Sequence, residues 1–177
     1  MIRTVFIAPI VGLVLIFVAS LAVAEVKLKE VTSPGGFNAW LVENHSIPFV
    51  ALELRFKGGA SLDAEGKRGA TNLMTGLLEE GAGDLDARAF ARALEEQAAT
   101  ISFDVSDDEL SVSARFLTET KSDVLALLKE SITNPRFDEA AVERVRAQVL
   151  AGIRSDATDP DAIVGLEFSN LVFGAHP

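Results

Sequence analysis

His45 and His176 are the only imidazoles in the 177-residue chain, which has no cysteine. A two-histidine metal site would have to use both. Thiolate zinc sites, iron–sulfur clusters, disulfides and cysteine nucleophiles are excluded outright. His45 falls in the polar run Glu43-Asn44-His45-Ser46 and His176 in the terminal Phe173-Gly174-Ala175-His176-Pro177, a setting that does not mark them as a ligand pair. Carboxylates gather in two places. Glu79, Glu80, Asp84 and Asp86 surround a Gly-Ala-Gly turn, and Asp104, Asp107, Asp108 and Glu109 surround a second turn. Neither cluster has the oxygen spacing of a calcium loop. A solvated helix end with Asp86 as cap accounts for the first, and an exposed turn for the second. Serine and threonine are plentiful, but there is no G-x-S-x-G elbow and no P-loop lysine motif. A serine nucleophile served by either histidine therefore has nothing to recommend it. With 26 acidic against 16 basic residues and a net charge of −10, the chain is a poor ligand for nucleic acid, which requires clustered Lys and Arg.

The elements that must position these groups alternate between periods of two and 3.6. Ser33-Pro34-Gly35-Gly36 reads as a turn and Phe37 to Val42 as a strand, with Trp40 as core or sheet surface. Glu43 to Ser46 reads as a hairpin turn into a second strand, about Pro48 to Lys57. In that strand Val50, Leu52, Leu54 and Phe56 alternate with polar or small residues, the mark of a half-buried strand. Gly58-Gly59 ends it, and the spacing predicts a helix over about Gly69 to Glu80. A further helix is predicted behind Asp86, since Ala87, Phe90, Ala91, Leu94 and Ala98 share one stripe. Thr100 to Val105 and Glu109 to Phe116 read as a hairpin. Helices follow: one carries Val124, Leu127, Leu128 and Ile132 and stops at Asn134-Pro135. A second runs from Asp138 to about Ser155, with Phe137 and Val142 placed as a staple, and a third runs from Asp159-Pro160 to about Val172. This order, β-β-α-α-β-β-α-α-α, implies an α+β domain with helices packed on an antiparallel sheet.

Several of these pieces recur together elsewhere. They are the opening hairpin with Pro48 and Val50, Gly58-Gly59-Ala60-Ser61 before the Gly69-Ala70 helix, Gly81-Ala82, Asn134-Pro135-Arg136-Phe137, Glu143-Arg144 and Asp159-Pro160. In this order and spacing the chain, from about Val31 onward, resembles the insulinase/pitrilysin family of inverted zinc metallopeptidases. Mitochondrial processing peptidase and the core proteins of respiratory complex III belong to the same family. The final Phe173 to Pro177 looks like the family's mid-domain loop, where a tyrosine usually follows the proline. The resemblance thus implies that residues 25–177 are an incomplete, truncated N-terminal peptidase-like domain.

Active members of that family carry H-x-x-E-H on a helix. The two histidines lie one turn apart on one face and the glutamate between them activates the zinc-bound water. The family's third ligand is a glutamate about 76 residues later, with a supporting glutamate two turns before it on the same helix face. With the Gly69-Ala70 start aligned, Asn72 takes the first histidine position, Thr75 that of the glutamate and Gly76 that of the second histidine. The same count places Gly152 at the third ligand and Val145 at the supporting glutamate. None of the five fits: glycine and valine offer no ligand atom, threonine is no carboxylate base, and an amide is a poor zinc ligand. The resemblance therefore implies a degenerate site with no metal or cofactor on this chain, zinc being expected on a partner.

The N-terminus carries Arg3, an apolar run from Val5 to Val18, and Ala22-Val23-Ala24, a small–x–small cleavage pattern. Residues 1–24 are accordingly expected to be a signal peptide. Pro9, Gly12 and the cleavage pattern favour this over an uncleaved anchor, for which the length barely suffices. Removing Arg3 leaves 15 basic against 26 acidic residues, a net of −11. The expected product is exported, periplasmic in a Gram-negative bacterium, with no stable membrane insertion after cleavage. Its expected role is a non-catalytic subunit paired with a homologous active zinc peptidase, helping to enclose a peptide substrate. An active metalloendopeptidase with unrecognised ligands and a structural subunit like the respiratory core proteins are the alternatives.

Overall fold

The structure, a computed structural model, describes residues 27–174. Residues 1–26, with the expected signal peptide or anchor, and the last three residues, His176 among them, lie outside it. The chain divides into two compact units at Ile47–Pro48. In the first, β1 (Leu28–Thr32) and β2 (Asn38–Val42) form an antiparallel hairpin in which Leu28 pairs with Val42 and Thr32 with Asn38. Its turn follows the residue chemistry. Pro34 suits the first central position, the Gly36 amide closes on the Ser33 carbonyl at 2.9 Å, and Gly36 takes the left-handed conformation (φ +83°) that glycine tolerates. Trp40 lies on the hairpin surface, 78% exposed.

The second unit is built on a three-stranded antiparallel sheet ordered β3 (Phe49–Lys57), β7 (Glu109–Leu117), β6 (Thr100–Val105). Register sorts its faces. Val50, Leu52 and Leu54 stand opposite Phe116, Ala114 and Val112, and the same Ala114 and Val112 stand opposite Ile101 and Phe103. That apolar face forms the core with Leu78, Ala99, Val124 and Leu128. The other face is polar: Arg55 pairs with Glu109 at 3.1 Å, and the Ser113 hydroxyl donates to Glu53 at 2.6 Å. Helices α1 (Ala70–Leu77), α2 (Ala87–Glu96), α3 (Lys121–Thr133), α4 (Glu139–Asp156) and α5 (Pro160–Phe173) complete the unit. As expected, Asp86 caps α2, accepting from the Ala89 amide at 2.8 Å. Asp159 caps α5, accepting from the Asp161 amide at 2.8 Å. Among the described residues no helix is long and apolar enough to cross a membrane.

The structure corrects three readings. The hydrogen-bonded partner of β2 is β1 and that of β3 is β7, so Glu43 to Ser46 connects strands that pair elsewhere rather than turning a hairpin. The first helix ends at Leu77 rather than Glu80, because Leu78 and Glu80 donate to Thr75 and Leu77 in a tighter turn. A two-residue hairpin, β4 (Gly81–Ala82) with β5 (Leu85–Asp86), fills what read as a break between helices. The α+β arrangement itself is as expected.

Two glycine-rich marks prove to be docking points. The Gly58, Ala60 and Ser61 amides donate to the carbonyls of Asp108, Ser106 and Asp107 at 2.7, 2.9 and 3.0 Å. This hooks the end of β3 over the β6–β7 turn. A Cβ on Gly59 would fall 2.1 Å from the Ser106 carbonyl oxygen, inside any permissible contact. The second point joins β4 to the loop after α3. Gly83 donates to the Asn134 carbonyl at 2.9 Å, the Arg136 amide donates to Gly81 at 3.2 Å, and Ala82 bridges Pro135. Because the atoms crowding Gly59 are backbone, Gly59→Ala is expected to cost about 3 kcal/mol or more in a denaturant melt. Gly66→Ala serves as the control: its site is open, so only the smaller penalty of an alanine at φ +75° should appear.

Candidate functional site

The five positions assigned to metal chemistry fall on two helices that pack directly together. Asn72, Thr75 and Gly76 are on α1; Val145 and Gly152 are on α4. Between these helices lies an apolar seam of Leu77, Ala141 and Val145, flanked by Leu73, Val142 and Val149. Gly76 and Val145 meet across it: a Cβ on Gly76 would stand 3.0 Å from Val145 Cγ1. The valine, 5% exposed, thus packs against bare helix backbone. Thr75, 3% exposed, donates its hydroxyl to the Thr71 carbonyl at 2.8 Å, a bond within its own helix that leaves no donor aimed across the seam. Asn72 is exposed one turn earlier, and a Cβ on Gly152 would meet no neighbour within 4 Å. The structure therefore brings Gly76 and Val145 into contact, while Asn72 and Gly152 are exposed.

The ends of α1 are fixed from outside. Its N-cap, Gly69, sits at φ +91° and has no side chain to satisfy the first amides. Asp63 does this from the preceding loop: its carboxylate accepts from the Gly69 amide at 2.7 Å, the Thr71 amide at 3.0 Å and the Thr71 hydroxyl at 2.6 Å. The Thr71 hydroxyl above all, with these amides, holds the Asp63 carboxyl below its ordinary value. Just past the other end, Glu80 pairs with Arg144 of α4, and Glu79 accepts from the Phe103 amide of β6 at 3.1 Å. Partial burial pushes the Glu79 carboxyl up, and Asp104 and Glu80 add to this against the opposing Phe103 hydrogen bond.

The first acidic cluster is thus distributed among separate tasks: Glu79 to β6, Glu80 to α4, Asp86 to its helix cap. The second lies on the turn gripped by Gly58 to Ser61. Among the described residues no three His, Cys, Asp or Glu side chains stand close enough to hold a metal ion. The residues at the α1–α4 seam do not fit zinc: valine faces glycine there, with a self-bonded threonine beside them. Asp63 gives no signal in the sequence, because its capping role depends on a loop bend that no helical period reports.

A model of the insulinase family (peptidase family M16) matches residues 39–170, most of the chain. The chain belongs to the insulinase family. A family relative named non-peptidase homolog YmxG, from Helicobacter pylori strain ATCC 700392/26695, is 33% identical over 135 residues, covering 76% of this chain and 31% of the relative. A solved M16 inactive domain from Pseudomonas fluorescens superposes with a TM-score of 0.77 at 26% identity, over 85% of this chain and 37% of that one. A protease from Helicobacter pylori shares the fold at 19% identity, with a TM-score of 0.67 over 82% of this chain and 35% of its own. The chain spans about a third of the length of each of these relatives.

Two measurements test the site's construction. In a double-mutant cycle, Gly76→Ala should gain about 1 kcal/mol of helix propensity when Val145 is alanine and forfeit most of that gain against the native valine. Additive effects would mean the two residues do not press on one another. Asp63→Ala should lower Tm near neutral pH. Since the folded-state pKa of Asp63 lies below the ordinary 3.8, its stabilisation is complete above that value. The gap between wild type and variant should therefore close as pH falls through the lower, folded pKa.

Proposed function

We propose that this chain is a non-catalytic M16 subunit that is exported, pairs with a homologous active zinc peptidase, and contributes part of the wall around its peptide substrate. The observation that carries this reading is the α1–α4 seam. Where the family's catalytic members align two histidines and three glutamates, this chain places Asn72, Thr75, Gly76, Val145 and Gly152, and packs Val145 onto the Gly76 backbone. A water molecule there would find no carboxylate to take its proton and no cation to lower its pKa. The names of two relatives, a non-peptidase homolog and an inactive M16 domain, support the same reading. Arg3, the apolar run and Ala22-Val23-Ala24 support export, with Glu25 as the first residue of the mature protein.

The decisive experiment purifies the chain from its native host under mild conditions. The expected result is recovery with an H-x-x-E-H homologue, substoichiometric zinc on this chain once separated, and peptide hydrolysis only when the two are remixed. Stoichiometric zinc on the isolated chain, lost together with hydrolysis on chelation, would establish an active peptidase instead. Full hydrolysis by the homologue alone would reduce this chain to a structural role. Sequencing the secreted form should return an N-terminus at Glu25.

A further inference from the structure

Glu79 reaches past its own helix end to the backbone of a neighbouring strand. The strand it reaches, β6, is hydrogen-bonded to β7 on one side, and among the described residues no strand pairs with its other side. At the hairpin end the Ser106 amide donates to the Glu109 carbonyl at 2.8 Å. Antiparallel alternation then makes Asp104–Ser111, Ser102–Ser113 and Thr100–Arg115 the hydrogen-bonded pairs. Ile101, Phe103 and Val105 consequently turn their N–H and C=O groups outward. Phe103 is the middle of the three, and its amide is the one that Glu79 Oε1 accepts at 3.1 Å.

We propose that the Glu79 carboxylate is a stopper on the outer edge of β6, closing that strand to pairing with β6 of a second copy of this chain. The segment Thr100-Ile101-Ser102-Phe103-Asp104-Val105 is rich in β-branched and aromatic residues, carries one charge, and has no glycine or proline. Such edges self-associate unless something blunts them. Its outward triplet is also symmetric about Phe103. Antiparallel pairing across a two-fold axis would let the two Phe103 residues exchange both hydrogen bonds, with Ile101 opposite Val105 on either side. Occupying the Phe103 amide removes the central donor from both copies at once. It would also bring two Glu79 carboxylates together, beside Glu80 and Asp104 of each copy. Solvent could satisfy one edge amide without drawing in a carboxylate.

The full chain is compared with Glu79→Ala, Glu79→Met, which keeps the aliphatic stem, and Glu79→Gln, which keeps an acceptor. Sedimentation over a concentration series and hydrogen exchange across residues 100–105 are the readouts. Ala and Met should self-associate roughly tenfold more tightly than wild type, with β6 amides protected in the assembled form, while Gln stays close to wild type. The register supplies a second check, because Ser102 would face Asp104 of the other copy. On the Glu79→Ala background, Ser102→Lys should tighten association and Ser102→Glu should loosen it. Sedimentation of Ala and Met identical to wild type would overturn the proposal. So would association indifferent to the charge placed at position 102.

Discussion

The site depends on how helix α1 is held. Eight residues are too few for a helix to persist alone, and α1 begins at a glycine that cannot cap it. It is clamped at its start by Asp63, and just beyond its end by Glu79 on β6 and Glu80 on α4. Between the clamps, Gly76 lets α4 come close enough for Val145 to rest on main chain. The helix therefore has a fixed position between sheet and helix layer, set by contacts that lie mostly outside its own sequence.

That position explains how the two helices pack through an apolar seam. A pair of helices that grips a cation needs space between them, lined with donors whose charge must be balanced. Here the space is closed by Leu73, Leu77, Ala141 and Val145, and the one buried hydroxyl nearby is bonded to its own helix. Burying these side chains contributes roughly 1.5–3 kcal/mol for each large one, with no ion needed to hold the seam together. The two helices then act as a brace.

Much of this was legible because the main elements have clear periods. The alternation in Val50 to Phe56 and in Leu110 to Phe116, and the stripes Phe90–Leu94 and Val124–Leu128, specified both elements and buried faces. The identities of Asn72, Thr75, Gly76, Val145 and Gly152 can be read off directly, and that they stand at the family's metal positions is what the resemblance implies. Pairing was not. Leu28-Lys29-Glu30-Val31-Thr32 has no alternation to announce a strand, so in the sequence β2 reads as the partner of the strand that follows it. β4 and β5, two residues each, are too short to have any period. The roles of Glu79 and Asp63 are hidden for a related reason: each acts on a backbone amide outside its own element, and local composition carries no record of such distant donors. The family marks were recognised as separate words. Only the fold shows that Gly58 to Ser61 reads the turn at Ser106 to Asp108, and that Gly81 to Gly83 reads Asn134 to Arg136.

The grip of Gly58 to Ser61 on the β6–β7 turn is made almost wholly through main-chain carbonyls. Asp107 and Asp108 supply oxygen atoms that any amino acid would supply equally. Exchanging either side chain therefore leaves the bonds of this joint in place. What this corner demands of the sequence lies at Gly58 and Gly59, some fifty positions upstream.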